Sequence, residues 1–297
     1  MTKCRIVVAL ALLVVTSSLF IFGVKSNEED RLQKKGTPQY FPQKIDFAGE
    51  AVPLNVADVK ERLDRELLVN SYLQASTILI IKRANRVFPI IEPILEKKGI
   101  PNDFKYIAVI ESALTNAVSP SGAKGVWQFM PATGKEHGME INDYVDERYH
   151  LEKATEAACD YFLKAKNKFG NWTMAAASYN HGMNGINNKI DEQKVETYYD
   201  LLLTDETSRY VFRALALKAI MQSPKLYGFD VAPSELYTQI PTKKIEVDST
   251  INNLADFAKK QGINYKILKI HNPWLREKKL PNNSKKKYIL EIPTGGY

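Results

Sequence analysis

Glu111 is an acid set among apolar residues, near the end of the stretch FKYIAVIES (104–112). Phe104, Ile107, Ala108 and Ile110, with Leu114 beyond them, recur at helical spacing. Ile107, four residues before Glu111, and Leu114, three after it, are therefore its neighbours on a helix surface. A carboxyl in such company is partly desolvated, which favours its protonated form near neutral pH. A carboxyl that still holds its proton there can serve as a general acid. The helix runs into a turn signal, Ser119-Pro120-Ser121-Gly122. A second apolar run follows, Gly125-Val126-Trp127-Gln128-Phe129-Met130, in which Trp127 and Phe129 read as core residues. Two later stretches carry further polar groups: ASYNHG (177–182), with Tyr179 and Asn180, and ETSRYV (206–211), with Tyr210.

Positioning these groups falls mainly to helices. Leu63, Leu67, Leu68, Tyr72, Leu73, Ile78 and Ile81 predict a helix from Val59 to about Ala84. A second, Val87 to Lys98, has Pro89 and Pro93 near its start and closes at Gly99. Further helices are expected over Leu151–Phe169, over Trp172–Tyr179 behind the cap residue Asn171, and over Thr207–Met221. Strand signals are few here, so residues 59–232 are expected to form one mainly α domain, long enough for a single core. Residues 243–247 and 287–293 instead read as strands, with short helices at Ile251–Lys260 and Tyr265–His271 between them. Residues 233–297 are thus expected to form a small α+β module of order β-α-α-β.

Ahead of these parts, Lys3 and Arg5 precede an uncharged apolar run from Ile6 to Val24. Residues 1–26 read as a secretory signal or, because the run is long enough to span a bilayer, as an uncleaved anchor. Residues 27–58 mix charge, Pro and Gly without periodicity and read as a linker. An exported protein of the cell envelope or periplasm follows, with membrane tethering as the consequence of an uncleaved anchor. Once a signal is removed Cys159 stands alone, which excludes an internal disulfide. The four histidines show no metal-ligand spacing, and neither a metal nor another cofactor is expected. The net charge is +7, yet residues 241–297 alone carry twelve basic and five acidic residues. Residues 1–26 carry three basic and no acidic residues, which leaves 27–240 at about −3. The basic excess thus lies in the tail, where it suits an anionic wall polymer or lipid, and export argues against nucleic acid.

The four ordered stretches, Glu111-Ser112, Gly122 to Thr133, ASYNHG and ETSRYV, together resemble the lytic murein transglycosylases of the goose-type lysozyme-like fold. The resemblance is nearest to the membrane-bound lytic transglycosylase D group and covers about Leu63 to Tyr227. It implies peptidoglycan glycan strands as substrate and Glu111 as the single catalytic carboxyl, acid first and then base. It further implies that Ser112, Gln128, Tyr179, Asn180 and Tyr210 bind or orient the sugar, with the Tyr179 hydroxyl approaching the catalytic glutamate. Ser178 stands where the family usually has alanine. The tail resembles a LysM peptidoglycan-binding module, although its opening strand and turn match weakly. Most glycoside hydrolases pair two carboxylates, and Asp143, Asp146 or Asp160 can fold back to supply a second. A hydrolytic muramidase of the same fold and a non-catalytic wall-binding protein are therefore the alternatives.

Overall fold

The computed structural model describes residues 40–297. The segment read as signal or anchor, and the first part of the expected linker, lie outside the described residues. Residues 46–51, within the stretch read as linker, form a hairpin of β1 (Asp46–Phe47) and β2 (Glu50–Ala51). Phe47 is fully buried there, edge-on to Phe104 at 5.2 Å. Pro- and Gly-rich composition hides this because a hairpin this short has no room for periodicity.

Helix α1 (Ala57–Tyr72) and α2 (Gln74–Lys97) divide at Leu73, not near residue 85 as the prolines suggest. Thr77 stabilises the break, its hydroxyl donating to Asn70 O at 2.6 Å. Helix α2 continues through Pro89 and Pro93, which are four residues apart and both exposed. The carbonyls that these prolines leave unpaired thus lie on the side facing water, where the loss is tolerable.

The remaining helices of the larger domain are α3 (Lys105–Ser112), α4 (Pro131–Glu136), α5 (Leu151–Phe169), α6 (Trp172–His181), α7 (Met183–Gln193) and α8 (Asp205–Gln222). Helix α5 starts and stops where its apolar period does, ending at Gly170 in the left-handed conformation. Asn171 caps α6, accepting from Met174 N at 2.8 Å. The Glu50 carboxylate reaches the same helix end from β2, accepting from Trp172 N at 2.6 Å and Thr173 N at 2.8 Å. Thr204 caps α8, the helix that faces α1, α3 and α6. One apolar core runs through these elements and includes Phe104, Trp127, Phe162, Tyr210 and Phe212.

The tail has the expected β-α-α-β order. Strand β3 (Thr242–Val247) pairs antiparallel with β4 (Tyr288–Pro293), and α9 (Leu254–Lys260) and α10 (Tyr265–His271) lie between them in the chain. Its own core contains Leu254, Leu268, Leu290 and Ile292, together with Val145 and Tyr149 from the larger domain. Among the described residues, no helix is long and apolar enough to cross a membrane.

Candidate active site

Helix α3 is short and almost wholly buried, and Glu111 is its penultimate residue. The chain leaves the helix through two successive left-handed residues, Ala113 at φ 51° and Leu114 at φ 59°. Each costs about 1 kcal/mol for a residue with a Cβ, so the exit must be held from outside. Arg213 on α8 donates to Ile110 O at 2.9 Å, Arg83 on α2 donates to Ala113 O at 3.2 Å, and Thr115 donates to Ser112 O at 2.8 Å. These donors satisfy carbonyls that a helix end leaves open, and the two cations suit its negative pole.

The Glu111 carboxyl accepts a hydrogen bond from the hydroxyl of Tyr210, a buried residue of α8. Burial pushes Glu111 up to about 7; the Tyr210 bond and the Arg213 charge pull against that rise, and Glu206 adds to it. Asp143, Asp146 and Asp160 exert no comparable effect on Glu111. Asp146 is committed to Arg148 and Asp160 to Lys98. Glu206 is the other carboxylate that Glu111 feels.

The chain from Gly122 to Phe129 is an irregular turn held mainly through its carbonyls. Ser112 donates to Val126 O at 2.8 Å, Tyr179 to Trp127 O at 2.8 Å, and Lys124 N to Phe129 O at 3.1 Å. Gln128, itself left-handed at φ 51°, turns its amide nitrogen onto Gly125 O at 2.8 Å and Ala117 O at 3.1 Å. With two carbonyls at that end, its side-chain oxygen must face the other way. Trp127 is fully buried and donates to Thr155, which fits its expected place in the core.

Two expectations change here. The hydroxyl that reaches Glu111 belongs to Tyr210, not Tyr179, because Tyr179 lies against Phe162 at 5.0 Å and spends its proton on Trp127 O. Burial holds Tyr179 well above the usual phenol value, so it remains a donor. Ser112, which the resemblance implies binds or orients the sugar, is buried and its single proton is taken by Val126 O. It ties α3 to the turn instead.

Asn180 belongs to a polar network with the start of α8. Its amide donates to Glu206 Oε1 at 3.1 Å, and its carbonyl accepts from the Thr207 hydroxyl at 2.8 Å. His181 Nδ1 and Thr204 Oγ1 approach the same hydroxyl at 3.2 and 3.0 Å. Glu111, Tyr210, Asn180 and Gln128 are thus linked through α8 and the turn. Sequence reading assigned no role to Arg213, Glu206 or Arg83. Arg213 was the accessible one, three residues after Tyr210 and so on the same helical face.

A mainly α domain followed by a β-α-α-β module agrees with what comparison with known families finds. Residues 88–201 match the transglycosylase SLT domain, and residues 243–296 match the soluble lytic transglycosylase C-terminal LysM-like domain. The chain therefore carries an SLT transglycosylase domain followed by a LysM-like domain. It is 26% identical over 235 residues to membrane-bound lytic murein transglycosylase D of Escherichia coli strain K12, covering 76% of this chain and 50% of that protein. The figures for the protein of the same name from Escherichia coli O6:H1 are identical. A protein of Alteromonas sp. strain M-1 named for tributyltin chloride resistance is 27% identical over 159 residues, 52% of this chain and 77% of its own. The chain thus spans about half the length of the E. coli relatives.

Proposed function

We propose that the protein is a lytic transglycosylase that cleaves the β-1,4 bond between MurNAc and GlcNAc in peptidoglycan without consuming water. The observation that carries this reading is the Glu111 carboxyl, half-buried at the end of α3, pushed up to about 7 by desolvation and hydrogen-bonded by Tyr210. Near neutral pH such a group is present in both protonation states, as one residue acting in turn as acid and base requires. Glu111 gives its proton to the glycosidic oxygen as the bond to C1 breaks, and positive charge develops on the MurNAc ring. The resulting carboxylate then removes the proton of the C6 hydroxyl of the same sugar. That oxygen closes on C1 to form the 1,6-anhydro ring, and Glu111 ends protonated as it began.

Gln128 offers its side-chain oxygen to the sugar, and Asn180 orients the substrate beside it. Ser112 and Tyr179 act at one remove by fixing the turn that carries Gln128. Tyr210 and Arg213 stabilise the ionised Glu111 of the second step. Residues 59–232 form the cleaving domain and residues 233–297 the LysM-like module. The likeness to a membrane-bound murein transglycosylase supports work in the cell envelope, with residues 1–26 as export signal or anchor.

A hydrolytic muramidase is the second reading, favoured by Glu206, whose charge reaches Glu111 and which is a candidate base for a water. Mass analysis of the fragments released from purified peptidoglycan separates the two. Transglycosylation predicts MurNAc ends lighter by one water than the reducing ends of hydrolysis. Reducing ends throughout would overturn the proposal.

A further inference from the structure

The LysM-like module does not hang free of the larger domain. Residues 144–146 and 274–276 pair antiparallel, with Asp146 N donating to Trp274 O at 2.9 Å and Arg276 N to Tyr144 O at 2.8 Å. Trp274 stacks between His150 and Tyr288, at 6.0 and 5.7 Å between ring centres. At the rim, Lys286 Nζ lies 2.5 Å from Glu140 and 3.4 Å from Glu147, and the Tyr288 hydroxyl donates to Glu140.

Just past this pairing, in the 3-10 turn Glu147–Tyr149, lies Arg148. Its guanidinium is buried and doubly bonded to Asp146, at 2.8 and 2.7 Å. The remaining nitrogen donates to Gly122 O at 3.0 Å and Phe129 O at 3.2 Å, the two ends of the turn that presents Gln128. The Arg148 carbonyl presses on the middle of that turn: a Cβ on Gly125 would lie 1.9 Å from it. A buried guanidinium needs its full set of acceptors to offset desolvation. Asp146 must therefore stay in register, and Asp146 is the residue whose backbone bonds Trp274.

We propose that the C-terminal module is a positioning element of the cleft: docked on residues 140–150, it holds Arg148, which in turn holds the 122–129 turn and Gln128. The proposal assigns the module a part in cleavage itself, beyond any binding of the wall. Its catalytic consequence rests on the transglycosylase reading, whereas its structural consequence does not.

The test uses the full-length protein and three variants. Lys286→Glu sets three acids against one another at the half-exposed rim. Lys286→Glu with Glu140→Lys restores the attraction. Arg148→Lys keeps a charge for Asp146 but cannot also reach both turn carbonyls. Amide hydrogen exchange over residues 117–130 is followed beside kcat and KM on a short soluble peptidoglycan fragment. The expected result is faster exchange in that segment for Lys286→Glu and Arg148→Lys, with α8 unchanged. Turnover falls about threefold to tenfold for Lys286→Glu and up to about a hundredfold for Arg148→Lys, the scale of a small misplacement of substrate. The double variant returns both readouts towards wild type.

Wild-type exchange and turnover in Lys286→Glu, with only binding to insoluble wall reduced, would overturn the proposal. Failure of the double variant to rescue would do so too. If Arg148→Lys does not fold, the charge-swap pair decides. If the wild type releases no glycan product, the transglycosylase reading fails, and the exchange data alone decide the coupling.

Discussion

In the C-terminal module, β3 and β4 pair from Thr242↔Pro293 to Val247↔Tyr288, so backbone satisfies backbone across the sheet. Between Gly122 and Phe129 the carbonyls are instead taken largely by side chains: Gln128 of the turn itself, and Ser112, Tyr179 and Arg148 from outside it. A ladder bond survives most substitutions because any residue but proline supplies its donor. A carbonyl held by one particular side chain loses its partner when that side chain changes, and a buried carbonyl without a partner costs about 1–3 kcal/mol. The module is therefore tolerant where the turn is exacting, and the turn is the part that the proposed function sets against the substrate.

The largest effect expected is at the Glu111 carboxyl. Glu111→Gln keeps the shape and removes the proton, so the rate should fall at least about a hundredfold. The same variant should be more stable than wild type in alkali. Between the ordinary glutamate value and about 7, the unfolded chain has released the proton that folded Glu111 still holds. Wild-type stability thus falls as pH rises through that window, and the variant escapes this loss. Melting curves should separate by up to about 3 kcal/mol at pH 8 and converge near pH 4.

A pair of glycines sharpens the contrast between the two regions. Gly125 has φ +83° and no space for a Cβ, whereas Gly262 in the module has φ +79° and nothing within 4 Å. Gly262→Ala should cost about 1 kcal/mol of backbone strain and leave turnover intact. Gly125→Ala must displace the turn from Arg148, so turnover should fall about a hundredfold, with stability lower by several kcal/mol. Equal effects in melting and kinetic assays would remove the distinction.

Tyr179→Phe tests a single clamp. It strands the Trp127 carbonyl, so stability should drop by about 1–3 kcal/mol. Turnover should fall modestly, while the pH dependence stays where it is because the phenol does not touch Glu111.

The helix α5 and the β-α-α-β order of the tail were legible in the sequence because each follows one unbroken period between clear stop signals. The helical setting of Glu111 was legible from the same kind of period, but the helix end was not: it stops at Ser112, and Leu114, read as a helical neighbour of Glu111, lies beyond it in the left-handed conformation. The break at Leu73 was not: no Pro or Gly marks it, and the prolines that do appear sit on a wet helical face. Motif residues were recognisable, but the directions of their side chains were not. Tyr210 meets Glu111 across 99 residues of chain, and only the packing of α3 against α8 decides that it, and not Tyr179, does so. Ser112 shows the same limit, since the side of α3 on which its hydroxyl falls depends on the turn folding over it.

The pH–rate profile of wild type beside Tyr210→Phe tests most directly whether the Glu111 carboxyl, tuned by the Tyr210 hydroxyl, carries the reaction. For a group that must be protonated to begin the cycle, the rate falls on the alkaline side of its pKa. The wild-type alkaline limb should therefore lie near pH 7. The Tyr210 hydroxyl stabilises ionised Glu111, so its removal should shift the limb upward by about one unit, the scale of a hydrogen bond to a charged group. An alkaline limb that stays in place in Tyr210→Phe, or moves downward, would contradict the account.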